Sequence, residues 1–116
     1  MKALCVSLGT DRESDPWLTL HHEYLVLSVL VAAHGPAKFR ILADDKRTPI
    51  LVEATLFAAE AQPLPPQWVA AIREGGVMEF TPRGWLEQGF WERYFDGETD
   101  AVACFQAELE AMINAA

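Results

Sequence analysis

This chain of 116 residues is poor in cysteine, in basic residues and in long apolar runs. Its two cysteines, Cys5 and Cys104, are far apart, and neither belongs to a Cys-x-x-Cys pair. This pattern argues against a disulfide framework and against a redox centre. The apolar run from Tyr24 to Ala33 has about half the ~20 residues that a membrane-spanning helix needs. We therefore expect two packed thiols and no membrane contact.

Signatures of common catalytic sites are also missing. The sequence has no nucleophile elbow, no glycine-rich phosphate loop and no Cys-His signature. Adjacent carboxylates such as Asp44 and Asp45 lie in a polar stretch, without the apolar burial that would separate their pKa values for acid and base roles. We expect a protein that is not an enzyme and has no cofactor.

The amino terminus gives an expectation about location. Met1 and Lys2 are followed by a short strand-like run that ends at Gly9. That run lacks the length and the cleavage pattern of a secretory signal. We therefore expect a cytoplasmic protein.

Negative charge is concentrated in the second half of the chain. The net charge is −8, from 17 acids and 9 bases; residues 1–58 contribute −1 and residues 59–116 contribute −7. Such a surface repels a phosphate backbone, so we expect no nucleic-acid binding, and it attracts a basic partner. The alternative is that the charge only keeps a small protein soluble.

The first half of the chain is typical of an antiparallel sheet. Tyr24–Val31 is apolar on both faces, as in a central strand that is covered on two sides. Lys38–Ala43 and Ile50–Glu53 flank a polar turn and predict further strands, whereas residues 10–16 predict a solvated loop. An additional first strand is predicted by alternation, with the more apolar face formed by Leu4, Val6 and Leu8.

The middle of the chain contains mixed signals. Residues 54–61 are ambiguous between strand and helical turn, and we favour a strand followed by irregular chain. Three prolines then form a stiff connector. Residues 67–73 predict a short helix that is closed by Gly75 and Gly76, and Val77–Phe80 predicts a last short strand.

The last third of the chain predicts helices. Thr81 and Pro82 resemble a helix start, with a capping hydroxyl and a proline in the first turn. Gly84 and Gly89 interrupt the next segment, which predicts a broken helical passage ending at Asp96 and Gly97. A final amphipathic helix is predicted by apolar residues at helical spacing, namely Val102, Phe105, Leu109, Met112 and Ile113.

Together these patterns predict a single α+β domain over residues 1–116. Its antiparallel sheet, a meander or a partly closed barrel, comes from the amino-terminal half. The broken helical passage and the carboxyl-terminal helix are expected to pack on this sheet, because segregated strands and helices disfavour a parallel βαβ arrangement.

The densest feature is residues 85–98, where aromatic residues alternate with acids. Successive helical residues differ by about 100°, so a helix that buries Trp91 and Phe95 turns Glu92 and Asp96 towards its rim. Most of these rings are expected in the core. Aromatic anchors beside carboxylates also suit a hot spot for an arginine- or lysine-rich partner. The candidate partner-binding residues are Glu87, Glu92, Tyr94, Asp96 and Glu98.

One cluster has the residue types of a metal site. His21, His22 and Glu23 combine imidazole and carboxylate, which suit zinc or iron. Adjacent strand residues point to opposite faces, however, so His22 cannot share a face with the other two. We expect exposed histidines at a strand end and no bound metal.

The segment from Thr81 to Phe105 also resembles a known family. Its Trp85-Leu86, Gly89-Phe90-Trp91-Glu92 and Tyr94-Phe95-Asp96-Gly97 resemble a family of short uncharacterised bacterial proteins that are grouped with polymorphic-toxin immunity proteins. Weaker similarity extends over residues 18–27 and 43–50. The resemblance implies binding and inhibition of a cognate toxin, often a basic nuclease, and it implies no catalytic residues.

The sequence supports three hypotheses about function. The leading one is a non-enzymatic protein-binding module, of the kind that inhibits a basic toxin. The second is a structural or regulatory protein that forms a homodimer through exposed aromatic residues. The third is a small metal-dependent enzyme that uses His21, His22 and Glu23.

Overall fold

The computed structural model describes residues 1–9 and 16–115 of the chain. The predicted loop 10–16 lies outside the described residues except for Pro16. Within them, strands come first and α-helices last, which confirms the predicted α+β class. The strands are β1 (Lys2–Cys5), β2 (Glu23–Val31), β3 (Lys38–Leu42), β4 (Pro49–Glu53), β5 (Phe57–Ala58), β6 (Trp68–Ile72) and β7 (Met78–Pro82). The α-helices are α1 (Phe90–Phe95) and α2 (Thr99–Ala115), and short 3-10 helices span Ala54–Leu56, Glu74–Gly76 and Arg83–Leu86.

The sheet is antiparallel and is organised around β2. The chain forms the predicted meander from β2 through β3 to β4, and β1 pairs with β5 on the other path from β2. A hairpin of β6 and β7 joins the sheet through β7 and β2. The 3-10 helix Ala54–Leu56 connects β4 to β5 directly, yet the described part of the sheet is not closed by a pairing between these two strands.

Strand β2 changes partners along its length. Its first residues pair with β1, up to Leu25, whereas Val29–Val31 pair with β7. The register with β3 shifts between Val26 and Ser28, as at a β-bulge. A bulge bends a strand and increases its twist. The single strand therefore has β1 beside its first part and β7 beside its last part.

The buried face of β1 is the opposite of the one that its apolar pattern suggests. Ala3 pairs with the buried Tyr24 and is itself buried, whereas Leu4 pairs with the exposed Glu23 and is exposed. Paired residues share a face of the sheet, so the pairing decides which residues of β1 reach the core. Small side chains therefore occupy the buried positions of this strand.

The helix predicted over residues 67–73 is wrong, because this segment forms strand β6. The amide of Arg73 donates to the carbonyl of Val77 over 2.6 Å and closes a hairpin to β7. Gly75 and Gly76 adopt φ values of 77° and 80°, which glycine tolerates best. Prolines before a segment and glycines after it are common at the ends of both helices and hairpin strands. The pairing with β7 therefore determines that this segment is a strand.

Two other local expectations are also corrected. Residues 54–61 do not continue β4: the chain forms the 3-10 helix Ala54–Leu56 and then the two-residue strand β5. Thr81 and Pro82 end strand β7, and the following 3-10 helix starts at Arg83 without a side-chain cap. The Thr81 hydroxyl is buried without a hydrogen-bond partner among the described residues, so it caps no helix.

Helix α2 buries a stripe on one side and packs on the 3-10 helix Arg83–Leu86. The buried positions are Ala101, Phe105, Leu109 and Met112, which confirms three members of the predicted stripe. Ile113 is exposed, because it lies one position beyond this stripe around the helix. No described helix is long and apolar enough to cross a membrane.

A glycine allows the close contact between these two elements. A Cβ atom added to Gly84 would lie 2.7 Å from the sulfur of Cys104 on α2. We expect Gly84→Ala to lower the free energy of unfolding by about 1–3 kcal/mol, because overpacking displaces neighbours. Urea denaturation measures this change. Cys104→Ala in the same background should recover part of the loss; a loss of the same size in both backgrounds would contradict the contact.

Candidate functional site

An aromatic cluster fixes the position of helix α1. The rings of Trp85 and Phe105 stack with centroids 5.2 Å apart, and both side chains are fully buried. Trp91 meets Trp85 edge-on at 5.4 Å, and Tyr94 contacts Phe105 at 4.6 Å. The 3-10 helix Arg83–Leu86, α1 and α2 are thereby joined through ring contacts, which add to the burial of large apolar surfaces.

The structure places the exposed aromatic of α1 at Phe95, where we expected a ring that faces mostly inward. Phe95 is 61% exposed, whereas Phe90 is buried and Trp91 is half-buried. Because α1 has only six residues, its first turn determines which side faces the core. Phe95 lies about 140° around the helix from Phe90, and its ring contacts only the outer part of the cluster, including Trp91 at 6.2 Å. The inward orientation predicted for Phe95 is therefore wrong.

Tyr94 and Phe95 form one wall of a surface groove of about 580 Å³. The turn between β3 and β4 forms the opposite wall, and α2 contributes further lining residues. The residues that line this aromatic groove are Asp45, Arg47, Thr48, Pro49, Tyr94, Phe95, Val102 and Gln106. Of the five predicted partner-binding residues, Tyr94 alone lines the groove. Asp45, Arg47 and Phe95 were missed, since the chain alone does not show that residues almost fifty positions apart would meet.

The turn wall of the aromatic groove is held by one carboxylate. Asp45 accepts hydrogen bonds from the amides of Arg47 and Thr48, at 2.9 and 2.8 Å, and from the Thr48 hydroxyl at 2.5 Å. These donors lower the pKa of Asp45, with the Thr48 hydroxyl as the largest cause. Lys46, within the turn, has a φ of 61°. Asp45 thus holds a tight turn in the conformation that shapes the groove.

Carboxylates surround the exposed end of α1. Glu92, Asp96 and Glu98 are exposed, and no ion pair to any of them is found in residues 1–9 and 16–115. We call these three residues the acidic rim. Glu87 differs from them, because Arg93 lies between its carboxylate, at 3.1 Å, and that of Asp100, at 3.2 Å. The exposure predicted for Glu92 and Asp96 is therefore confirmed, whereas part of the charge of Glu87 is already compensated.

A largely buried arginine connects α1 to the sheet. The guanidinium of Arg40 lies 4.1 Å from the ring centre of Trp91 and 3.9 Å from the carboxylate of Glu79. Glu79 is buried and also pairs with Arg73 at 3.1 Å. Burial lowers the pKa of Arg40 to about 10, so the side chain stays protonated at neutral pH. Its cation–π contact with Trp91 therefore persists there and orients the helix that carries the groove.

The other candidate residues do not assemble into a reactive site. His21, His22 and Glu23 are all exposed. The described residues contain no group of three histidine, cysteine or acidic side chains arranged to hold a metal ion. Burial, followed by the charge of Glu108, raises the pKa of the Cys104 thiol, which disfavours the nucleophilic thiolate.

Comparison with known proteins adds no assignment to this geometry. No family model, no curated protein and no solved structure matches the chain. The role of the site is therefore inferred from the chemistry of its residues alone.

Two substitutions in α1 should differ strongly in how much they lower the stability of the protein. Trp91→Ala should cost about 3–5 kcal/mol of unfolding free energy, because it removes a ring from the cluster. Phe95→Ala should change it by no more than about 0.5–1 kcal/mol, because most of the ring is in water. Thermal and urea unfolding of the two variants measure this difference. A larger loss in Phe95→Ala than in Trp91→Ala would reverse our assignment of the two faces.

The turn should respond to acid in a defined direction. The folded pKa of Asp45 lies below its ordinary value of 3.8. Its stabilising effect is therefore complete above that value and is lost as the pH falls through the lower folded pKa. In an NMR titration, the carboxyl carbon of Asp45 should titrate below pH 3.8, together with the amides of Arg47 and Thr48. In Asp45→Asn these amide shifts should disappear; if they persist, another group drives them.

Proposed function

We propose that this protein is a non-enzymatic binding module that recognises a basic protein through the aromatic groove and the acidic rim. The observation that carries this proposal is the 61% exposure of Phe95 on α1, where Phe90 is buried and Trp91 and Tyr94 are partly buried. Exposing a large aromatic ring to water is unfavourable in the free protein. At an interface the same ring is buried, and it can exclude water from ion pairs that nearby carboxylates form with a partner.

The two rings of the groove, together with the acidic rim, suit an arginine or lysine side chain. A guanidinium can stack on an aromatic face while its N–H groups bind a carboxylate. Phe95 and Tyr94 offer the faces, and the exposed carboxylates of Glu92, on α1, and Asp96, directly after it, lie outside the groove lining but within three positions of both rings in sequence. The net charge of −7 on residues 59–116 favours the approach of such a partner over long range. Specific ring contacts and long-range attraction thus select the same class of ligand.

The resemblance of residues 81–105 to immunity proteins supports a more definite role. In that role, the protein binds a basic toxin and covers the positive surface with which the toxin holds its own substrate. The inhibition is stoichiometric and needs no catalytic group. It requires only that the complex with the toxin have a long lifetime, which a slow dissociation rate provides.

The test uses any basic protein that is encoded next to this protein's gene and, where there is none, an arginine- and lysine-rich peptide. Its binding to the purified chain is measured by surface plasmon resonance at low and high salt. We expect Phe95→Ala to raise the dissociation constant at least about tenfold, since a hot-spot ring contributes ≥1.4 kcal/mol. Glu92→Lys combined with Asp96→Lys should slow association and reduce its dependence on salt.

A matched control separates the acidic rim from overall charge. Glu60→Lys combined with Glu110→Lys changes the net charge by the same amount at two exposed positions that do not line the groove. This control should leave most of the affinity intact. Equal losses of affinity in both double variants would mean that the acidic rim serves solubility only, and the absence of binding to the basic probe would contradict the proposed role.

A further inference from the structure

Strand β6 forms an open edge of the sheet. It pairs with β7 on one side only. The amide of Arg73 bonds to β7, so the alternation of an antiparallel ladder turns the amides of Ala70 and Ile72 away from β7. Among the described residues, these two amides have no hydrogen-bond partner. They are donors available to another strand.

An apolar row leads to this edge. Ile72 pairs with Met78, and Met78 pairs with Val31, so the three side chains lie side by side across β6, β7 and β2. They are 75%, 37% and 41% exposed. Side chains that neighbour each other across strands on one face form a continuous surface. The exposed end of this surface is Ile72, on the open edge itself.

The sequence of β6 lacks the side chains that usually protect an edge strand. Lysine, proline and inward-pointing charges normally block the pairing of exposed edges. The five residues Trp68–Ile72 include none of these. In contrast, β4, at the end of the other path, starts with Pro49 and ends with the exposed Glu53. The two ends of the β4-β3-β2-β7-β6 path therefore differ in their readiness to pair.

Charge indicates what kind of strand fits this edge. The chain carries −8 overall, and two copies repel each other across most of their surfaces. Trp68–Ile72 contributes nothing to that repulsion. A pairing of two β6 strands about Ala70 brings Trp68 opposite Ile72 of the second copy and Gln67 opposite its Arg73, with no carboxylate facing a carboxylate. The segment is thus compatible with its own copy.

We propose that two copies of this chain form a dimer by antiparallel pairing of β6 with β6. The amide of Ala70 donates to the carbonyl of Ala70 in the second copy, and the amide of Ile72 donates to the carbonyl of Trp68 there. The Trp68 amide stays with the carbonyl of Pro65, 3.1 Å away, and takes no part. The β4-β3-β2-β7-β6 path of each copy then continues into the other across a two-fold axis.

The dimer leaves the aromatic groove uncovered. The groove lies beside the turn between β3 and β4, which are separated from β6 in the sheet by β2 and β7. Each dimer therefore presents two separate grooves. This arrangement differs from a dimer formed through the exposed aromatic residues, because Phe95 stays accessible in both copies.

The test is sedimentation equilibrium of the purified chain from low to high micromolar concentration. We expect a mass of 12.9 kDa at the lower end and twice that mass at the upper end. Ile72→Lys should weaken the dimer at least about tenfold, because it places a charge in the pairing row. Ala70→Pro should abolish it by removing a central donor. In the native protein, hydrogen exchange at Ala70 and Ile72 should slow as the concentration rises.

Leu51→Lys, an equally drastic change at an exposed position of β4, is the matched control and should leave the dimer intact. If Ala70→Pro fails to fold, Ile72→Lys and the exchange measurement still decide the result. A chain that stays monomeric at every concentration overturns the proposal, even if it captures an extended peptide on β6. So does a dimer that survives Ile72→Lys or is lost in Leu51→Lys. Binding of a basic partner by the monomeric Ile72→Lys protein tests the aromatic groove separately.

Discussion

The fold depends on how the nine-residue strand β2 satisfies its hydrogen bonds. One strand must serve β3 on one side while its other neighbours change from β1 to β7, and the irregular register between Val26 and Ser28 marks that change. A regular strand would hold all its neighbours in one gradually twisting sheet. The change of partner places β1 beside the first part of β2 and β7 beside its last part, and β6 pairs with β7 on one side only.

A buried polar connection then orients the helices on this sheet. Glu79 of β7 compensates Arg40 of β3, and Arg40 lies against Trp91 of α1. Such pairs add little net stability, but removing Glu79 is destabilising, because it leaves the largely buried Arg40 without an anionic partner, whereas removing Arg40 leaves Glu79 paired with Arg73. The geometry is therefore strongly specified. With Trp91 held in place, Tyr94 and Phe95 reach the turn between β3 and β4 and complete the aromatic groove.

The surface divides into two chemically different regions. Around α1, the carboxylates of the acidic rim stand next to an exposed ring, a combination that favours a cationic ligand. Along β6, five residues without charge offer backbone donors and an apolar row, a combination that favours another strand. Electrostatic repulsion between two acidic copies disfavours contact at the first region. The second region carries no charge, so this repulsion is weaker there. The two proposed contacts, with a basic partner and with a second copy, therefore use different regions of the surface.

Local pattern by itself determined the class of the fold. The run Tyr24–Val31 predicted the central strand, the glycines predicted the broken helical passage, and the spacing of Phe105, Leu109 and Met112 predicted the buried face of α2, because each depends on residues close together in the chain. Tertiary structure alone decided the rest. Residues 67–73 became a strand because β7 pairs with them, and Phe95 stayed exposed because Phe90 occupies the core. The aromatic groove joins residues 45–49 to residues 94–106, a contact that no local periodicity encodes, since it arises only when the packed sheet brings the turn to the helices.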